Sequence, residues 1–223
     1  MKLNHVYKTF YPDSPKEVKA LTDINLTFEK GEFTTLSGES GSGKTTLLNI
    51  IGGLDSATSG QIFLDDAEIS AYSEEKMAKL RLHDIGFIFQ AYNLIHVLTV
   101  RENIGFIMKL LKFDDREIDT RILELASILQ IEDILDKLPG EISGGQQQRV
   151  AVARAVASRP KLILADEPTA NLDSKNSERL MNMLRTLNEK EQVTVIFASH
   201  DKYVLEQSKR IIVLDDGVVI EDR

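Results

Sequence analysis

The sequence predicts an α/β fold in which a largely parallel sheet is interrupted by a helical insertion. Two continuous apolar runs, residues 162–165 and 193–198, are typical of parallel strands that are buried on both faces. A glycine cluster at residues 38–43 joins a strand-like segment to an apolar helical segment. From about Thr99 to Ser158 the pattern is helical, and strand-like segments return after it. These three observations place an insertion of about 60 residues inside an α/β core.

Short runs of apolar residues predict the strands of this core. Apolar and polar residues alternate in a half-buried strand, whereas apolar residues are continuous in a fully buried strand. They lie at residues 3–7, 24–28, 33–37, 61–64, 86–89, 162–165, 193–198, 211–214 and 218–220. Apolar residues at a helical period predict helices at residues 47–51, 100–112, 119–129, 146–158 and 174–189. Ser143 is a candidate N-cap for the fourth helix, and Pro160 ends it. Asp216-Gly217 is a hairpin-type dipeptide within the closing strand pair.

Composition excludes several classes of protein. The 223 residues contain 42% hydrophobic side chains, enough for the core of one α/β domain, and their net charge of -8 argues against a nucleic-acid partner. The absence of cysteine excludes disulfides, thiol catalysis and cysteine zinc sites. The N-terminal segment lacks the apolar centre of a signal peptide, and no apolar run reaches the ~18 residues that a bilayer requires. A membrane process would therefore need another chain to supply the membrane part.

Residues 38–45, GESGSGKT, match the G-x-x-x-x-G-K-[ST] pattern of a phosphate-binding loop. Glycines let successive backbone N–H groups point at phosphate oxygens, and the helix that follows adds its positive N-terminal end. Lys44 is the candidate to neutralise the β- and γ-phosphates, and the Thr45 hydroxyl is the candidate to ligate Mg²⁺. The motif stands between a strand and a helix, as this chemistry requires.

A second candidate cluster follows the buried strand at residues 162–165. This strand delivers Asp166 and Glu167 to the carboxyl edge of the sheet, where α/β folds bind ligands. Asp166 is predicted to hold Mg²⁺ through water, and Glu167 to orient or deprotonate the attacking water. Strands often end in a surface carboxylate, so this interpretation depends on the phosphate loop upstream.

At residues 142–155, ISGGQQQRVAVARA, the sequence resembles the signature motif of the ABC ATPases. The other motifs of that family follow in the expected order over essentially the whole chain. Phe10 stands where the family has an adenine-stacking aromatic residue, and Gln90 matches the Q-loop glutamine. Asp173 belongs to the D-loop and His200 matches the switch histidine. The signature begins with Ile rather than the commoner Leu, and the loop reads GKTT rather than GKST; both changes preserve the chemistry.

The resemblance implies a P-loop NTPase core of the RecA-like type, with an N-terminal antiparallel β subdomain and an inserted α-helical subdomain. Residues 1–223 are then one ABC ATPase domain. The α/β core and its β subdomain are expected at 1–90 and 159–223, and the helical subdomain that carries the signature is expected at 91–158.

The resemblance also implies the site. The residues expected to contact ATP are Phe10, Gly38, Glu39, Ser40, Gly41, Ser42, Gly43, Lys44, Thr45, Thr46, Ser143, Gly144, Gly145, Gln146 and Asp173. Mg²⁺ is expected on Thr45, Gln90 and Asp166, and the catalytic set is Glu167, His200 and Gln90. Two copies would pack head to tail, so that each ATP lies between the phosphate loop of one copy and residues 143–146 of the other. A simple packing role is the alternative for Phe10.

Three classes of ABC ATPase compete. Chromosome and DNA-repair ATPases carry long coiled coils between loop and signature, whereas here about a hundred residues intervene without sustained heptads. Translation-associated members carry two ATPase units, and this chain has one phosphate loop and one signature. The sequence therefore favours a transporter subunit, which would act at the cytoplasmic face of the membrane through an integral permease. Residues 100–113 are apolar enough for an interface helix, and a core helix is the alternative.

Within the transporter class, NIIGGLD after the loop and FIFQAYNLI around Gln90 resemble one subgroup. It comprises the lipoprotein-releasing, macrolide-export and antimicrobial-peptide-resistance systems, whose partner is a four-helix permease with a large loop. The alternative is a cell-division-type ATPase, which regulates wall hydrolases through a membrane partner and transports no cargo.

Overall fold

Two β-sheets and seven α-helices make up the part of the chain that the computed structural model describes, which is residues 1–223 apart from the side chain of Lys202. In chain order the elements are β1 (Lys2–Phe10), β2 (Val18–Thr27), β3 (Phe33–Ser37), α1 (Lys44–Ile51), β4 (Ser59–Leu64), β5 (Ala67–Glu68), α2 (Glu74–Asp84), β6 (Ile85–Ile88), α3 (Val100–Leu110), α4 (Asp115–Leu129), α5 (Gly144–Val156), β7 (Leu162–Asp166), α6 (Ser174–Glu191), β8 (Thr194–Ala198), α7 (Lys202–Gln207), β9 (Arg210–Asp215) and β10 (Val218–Asp222). None of the helices in this described part combines the length and the apolar character that crossing a bilayer requires.

The two sheets differ in strand direction. The smaller sheet has the order β2-β1-β4-β5, and its pairs are antiparallel. The larger sheet has the order β10-β9-β3-β8-β7-β6 and is parallel from β9 to β6, with β10 added antiparallel at one edge. The predicted α/β fold class with an antiparallel N-terminal sheet is therefore confirmed.

The central strands of the larger sheet separate two hydrophobic cores, because successive side chains of a strand point to opposite faces. On β7, Ile163 and Ala165 join the core that contains α3, α4, α5 and α6. Leu162 and Leu164 join the other core, which contains α1 and the smaller sheet. Both faces are thus covered, which explains the continuous apolar runs in the sequence. Each fully buried Leu or Ile contributes about 1.5–3 kcal/mol to this packing.

Helices α3, α4 and α5 lie between β6 and β7 in the chain and pack against one another. Arg121 of α4 is buried and donates hydrogen bonds to the carbonyl oxygens of Val156 (2.8 Å) and Ala157 (3.2 Å), at the end of α5. Its guanidinium also pairs with Glu191 at the end of α6, at 2.7 Å. One buried cation therefore ties the inserted helices to a helix of the core.

The observed helices and strands differ from the predicted ones at a few places, and each difference has a physical reason. Helix α2 has no buried residue and so carries no apolar period that predicts it, and α7 has only 6 residues. Helix α4 begins before residue 119 because the side chain of Asp114 caps it, accepting from the N–H of Glu117 at 2.9 Å. Helix α3 ends at Leu110 because Lys112 adopts φ 62, outside the helical region. Strand β1 is longer than predicted, since register shifts against β2 break its alternation.

Candidate functional site

A surface cavity of about 1060 Å³ opens at the carboxyl edge of the parallel sheet. It lies between the end of β1, the loop after β3 and the segments that follow β6, β7 and β8. Of the predicted site residues, the cavity is lined by Phe10, Gly38, Glu39, Ser40, Gly41, Gly43, Lys44, Thr45, Thr46, Gln90, Glu167 and His200. The structure thus brings together residues that are widely separated in the sequence.

The loop between β3 and α1 presents free hydrogen-bond donors to this cavity. Gly43, at the N-cap of α1, has φ 102, and a Cβ atom there would lie 2.8 Å from the carbonyl oxygen of Ala20. A glycine is therefore required at this position. No described residue accepts a hydrogen bond from the backbone N–H of Lys44 or Thr45, in the first turn of α1. These donors and the positive end of the helix form an anion-binding surface.

The turn between β9 and β10 is hydrogen-bonded to this loop and supports it. The N–H of Gly217 donates to the carbonyl oxygen of Ser42 at 3.1 Å, and the N–H of Thr22 donates to that of Gly217 at 2.8 Å. Asp216 and Gly217 also line the cavity. The sequence predicts only a turn here, because nothing in a local pattern shows which distant loop a turn will contact.

Lys44 lies inside the loop that precedes it. Its ammonium donates to the carbonyl oxygens of Gly38 and Glu39, each at 2.8 Å, and the residue is only 8% exposed. A polyanion that binds the free N–H groups of the loop would therefore meet a positive charge held in place by the backbone.

Thr45 and Asp166 form a second pair at the floor of the site. The Thr45 hydroxyl donates to both carboxylate oxygens of Asp166, at 3.1 and 3.0 Å. Burial is the largest cause that raises the pKa of Asp166, and the nearby Glu167 raises it further. Among the described residues no group of three or more acidic or histidine side chains could hold a metal ion alone. A hard cation such as Mg²⁺ fits this oxygen pair only when phosphate or water oxygens complete its shell.

Glu167 and His200 form a third pair beside the second. Oε1 of Glu167 lies 2.8 Å from Nδ1 of His200. The side chain of Glu167 is 18% exposed and that of His200 is 72% exposed, so the carboxylate is recessed and the imidazole reaches toward solvent. Glu167 adopts φ 47, while its N–H donates to the carbonyl oxygen of Ala198 at 3.1 Å. A left-handed conformation costs a non-glycine residue about 1–3 kcal/mol and is concentrated at functional sites.

Gln90 follows β6 at the rim of the cavity. Its carbonyl oxygen accepts from Nδ2 of Asn171 at 3.1 Å. Just after it, the carbonyl oxygens of Tyr92 and Asn93 accept from the guanidinium of Arg154, at 2.9 and 2.6 Å. Burial lowers the pKa of Arg154. The segment after Gln90 is therefore held on one side by the residues before α6 and on the other side by α5.

Within one chain, residues 143–146 and Asp173 do not line the cavity. Ser42, which is buried in the loop, and Asp166, which accepts from the Thr45 hydroxyl, do not line it either. Ser143 caps α5: its hydroxyl oxygen accepts from the N–H of Gln146 at 3.3 Å, and Oε1 of Gln146 accepts from the N–H of Ser143 at 2.9 Å. Asp173 caps α6 through the N–H of Asn176, at 2.8 Å, and this bond is the largest cause that lowers the pKa of Asp173. The predicted nucleotide contacts therefore form two groups, one at the cavity and one, at the starts of α5 and α6, that lies outside it.

The strand–loop–helix unit and the carboxylates at the adjoining strand end define the class of this protein, a P-loop ATPase. A family model described as "ABC transporter" matches residues 21–170. The chain belongs to the ABC transporter family.

Known proteins of that family resemble the chain over most of its length. BceA of Halalkalibacterium halodurans, a bacitracin export ATP-binding protein, is 39% identical over 98% of this chain and 86% of its own. LolD 1 of Chlorobium chlorochromatii, the ATP-binding protein of a lipoprotein-releasing system, is 39% identical over 100% of this chain and 91% of its own. The dimeric structure of MJ0796 of Methanocaldococcus jannaschii, in a post-hydrolysis state with ADP and Pi, has a TM-score of 0.90 at 41% identity. It covers 100% of this chain and 97% of that chain.

These similarities confirm three predictions: the ABC family with its peptide-resistance and lipoprotein-release relatives, the α/β fold class, and the ATPase activity. They do not favour the cell-division-type alternative. The compared MJ0796 structure is a dimer, and the compared BceA is named a bacitracin export ATP-binding protein.

Proposed function

We propose that this protein binds Mg-ATP in the cavity, hydrolyses it as a head-to-tail dimer and thereby drives an integral membrane permease. One observation supports the proposal above all others. The cation of Lys44, the Thr45–Asp166 pair and the Glu167–His200 pair converge at one edge of the sheet. Together they supply the charge neutralisation, the metal ligands and the base that phosphoryl transfer to water requires.

The cavity accommodates a nucleoside triphosphate. Its volume of about 1060 Å³ exceeds the roughly 300–1,000 Å³ of typical ligand pockets. The adenine stacks on Phe10 at the end of β1. The phosphates bind the loop of residues 38–46 through its free N–H groups, among them those of Lys44 and Thr45, with the Lys44 ammonium beside the β- and γ-phosphates. Thr45, Asp166 and Gln90 would hold Mg²⁺, which would neutralise charge on the phosphate oxygens.

Glu167 is the proposed base for hydrolysis. Its carboxylate accepts a proton from a water molecule while the water oxygen bonds to the γ-phosphorus and the bond from phosphorus to the ADP oxygen breaks. The Nδ1–H of His200 donates to this carboxylate and holds it in place, because a carboxylate only accepts hydrogen bonds.

Residues 143–146 and Asp173 complete the site of a second copy. The hydroxyl of Ser143 and the N–H groups of Gly144 and Gly145 stand at the start of α5, a position that favours anions. Because these groups lie outside the cavity of their own chain, they are available to the γ-phosphate bound by another. ATP then joins two copies, and its hydrolysis lets them separate. The dimeric assembly of the MJ0796 relative supports this arrangement.

The permease docks on the face where the helical subdomain meets the core, a boundary that we place at residues 91 and 158. A groove of about 460 Å³ lies there between α2, α3 and α5, and its lining is mostly apolar, with Phe87, Phe106 and Ile107 among its residues. An apolar groove of this kind fits an amphipathic helical segment of a partner. Docking on a permease places the protein at the cytoplasmic face of the membrane. No nucleic-acid partner is proposed.

Co-purification tests this docking site. Phe106→Asp introduces a charge into the groove and should abolish recovery of the permease with the ATPase. Leu123→Asp is the matched control, because Leu123 is 53% exposed on α4 and lies outside the groove. Equal recovery of the permease with both variants would place the docking site elsewhere.

Phosphate release tests the ATPase proposal itself. The purified protein, alone and with its membrane partner, should release phosphate from ATP in the presence of Mg²⁺ and stop when a chelator removes the metal. Absence of turnover in both preparations would contradict the proposed function.

A further inference from the structure

Lys8 is a buried cation that the proposed chemistry does not use. Among the described residues, Lys8 and Lys44 are the two lysines that are buried, with Lys8 only 9% exposed. Its ammonium donates to Oδ1 of Asp55 at 2.7 Å and to the carbonyl oxygen of Ser56 at 2.8 Å. Asp55 is itself held by the N–H of Ser56, at 2.7 Å. The ammonium therefore has a defined position, anchored to the turn that follows α1.

The same ammonium lies 4.7 Å from the centroid of the Phe10 ring, within the range of a cation–π contact. Phe10 lines the nucleotide cavity, whereas Lys8 does not. The Phe10 ring therefore contacts both the nucleotide cavity and the cation.

We propose that Lys8 is a positioning residue for the adenine platform, an inference that rests on the proposed adenine role of Phe10. Lys8 fixes the ring, because its ammonium is anchored to Asp55 and Ser56 and attracts the ring from behind. It also draws π-electron density away from the face of the ring that the base stacks on, which strengthens the stacking of a purine. Lys8 thereby acts on the base of the nucleotide and leaves phosphate binding unchanged.

The test compares a ligand that has a base with one that lacks it. Lys8→Met keeps the length of the side chain and removes the charge. Calorimetry should show that the variant binds Mg-ATP about 3- to 10-fold more weakly, and the strength of the cation–π contact sets an upper bound on this effect. Its affinity for Mg-tripolyphosphate should change less than about twofold, which is the usual deviation from additivity for sites that do not interact. Lys8→Arg keeps a cation and should restore most of the ATP affinity.

Lys79→Met is the matched control. Lys79 is an exposed lysine on α2 that pairs with Glu75, so the substitution removes the same charge without touching the platform. It should leave both affinities unchanged. Should Lys8→Met unfold on purification, Asp55→Asn replaces it, because this variant keeps the ammonium and weakens its anchor. It should lower ATP affinity selectively and by a smaller factor.

A double-substitution cycle separates the inference from the proposed function. In a Phe10→Ala background, adding Lys8→Met should cause no further loss of ATP affinity, because the ring through which Lys8 acts is gone. A loss with Phe10→Ala but none with Lys8→Met would overturn the role of Lys8 and leave that of Phe10 intact. Unchanged ATP binding by Phe10→Ala would overturn both. Equal weakening of ATP and tripolyphosphate by Lys8→Met would also overturn the inference, since it would place the effect in the phosphate loop.

Discussion

Glu167→Gln separates ATP binding from ATP hydrolysis in this protein. The amide has nearly the shape of the carboxylate, so its oxygen can still contact Nδ1 of His200, which lies 2.8 Å from Oε1 of Glu167 in the wild-type protein. The backbone at φ 47 is equally strained in both proteins, because Glu and Gln differ only at the end of the side chain. We therefore expect a change in folding stability of about 1 kcal/mol or less, the difference between a charge-assisted and a neutral hydrogen bond.

The effect on catalysis should be far larger than the effect on folding. An amide cannot accept the proton of the attacking water, so turnover should fall by about 10²–10⁴-fold, the usual contribution of a positioned general base. This factor corresponds to about 3–5 kcal/mol in the activation barrier. ATP affinity should stay within about twofold of the wild-type value, because the groups that bind phosphate are unchanged.

Single-turnover phosphate release and size-exclusion chromatography with Mg-ATP measure the two effects. The variant should elute as a dimer in ATP, whereas the wild-type protein should return to its starting state as it hydrolyses the nucleotide. Glu75→Gln is the matched control, because it makes the same chemical change on an exposed side chain of α2. A Glu167→Gln variant that turns over ATP at the wild-type rate would refute the assignment of the base.

Three further predictions concern the phosphate loop and the metal pair. Lys44→Ala should weaken ATP binding at least about 10-fold, measured by calorimetry, since a charge-assisted contact to phosphate is lost. Burial raises the pKa of Asp166 in the folded protein, so the folded state binds a proton on this carboxyl more tightly than the unfolded state does. The stability gained in this way is present at low pH and is lost as the pH rises through the folded-state pKa. Asp166→Asn should therefore raise the Tm of the nucleotide-free protein at pH 7 by about 1–3 °C and abolish Mg²⁺-dependent hydrolysis, and a lower Tm would contradict this. Gly43→Ala should lower the free energy of unfolding by about 1–3 kcal/mol more than Gly41→Ala, because its Cβ would lie 2.8 Å from the oxygen of Ala20 and crowd that backbone. Gly41 shares the positive φ (89) but has open space around it, and urea denaturation of the two variants gives the comparison.

Much of the fold could be predicted because its signals are local. The runs at 162–165 and 193–198 are buried on both faces, so their composition alone marks them as central strands. The phosphate loop was predictable for a similar reason, since a run of glycines between a strand and a helix has few other uses. Helix α2 could not be predicted, because it buries no side chain and its apolar residues follow no period.

The site was predictable as a set of residues but not as a geometry. The sequence places Glu167 after a strand, yet its φ of 47 and its contact with His200 arise from tertiary packing. The support of the loop by Gly217 depends on strands that meet only in the folded protein. The ammonium of Lys8 is held beside the Phe10 ring by Asp55 and Ser56, which are remote in the sequence. Residue types and spacing record which groups are present, whereas distances between remote segments are set by the assembled core.

The alternation of side chains on the central strands sorts the effects of mutation by the parity of the residue number. On β7 and β8, the odd positions 163, 165, 195 and 197 pack on the side of the inserted helices, and the even positions 162, 164, 196 and 198 pack on the side of α1. Substitutions at odd positions therefore act on the half of the molecule that contains α3, α4, α5 and α6, and they spare the half that contains α1 and the smaller sheet. In evolution, one face of this sheet can therefore change while the opposite face keeps the packing of α1, the helix that begins at Lys44.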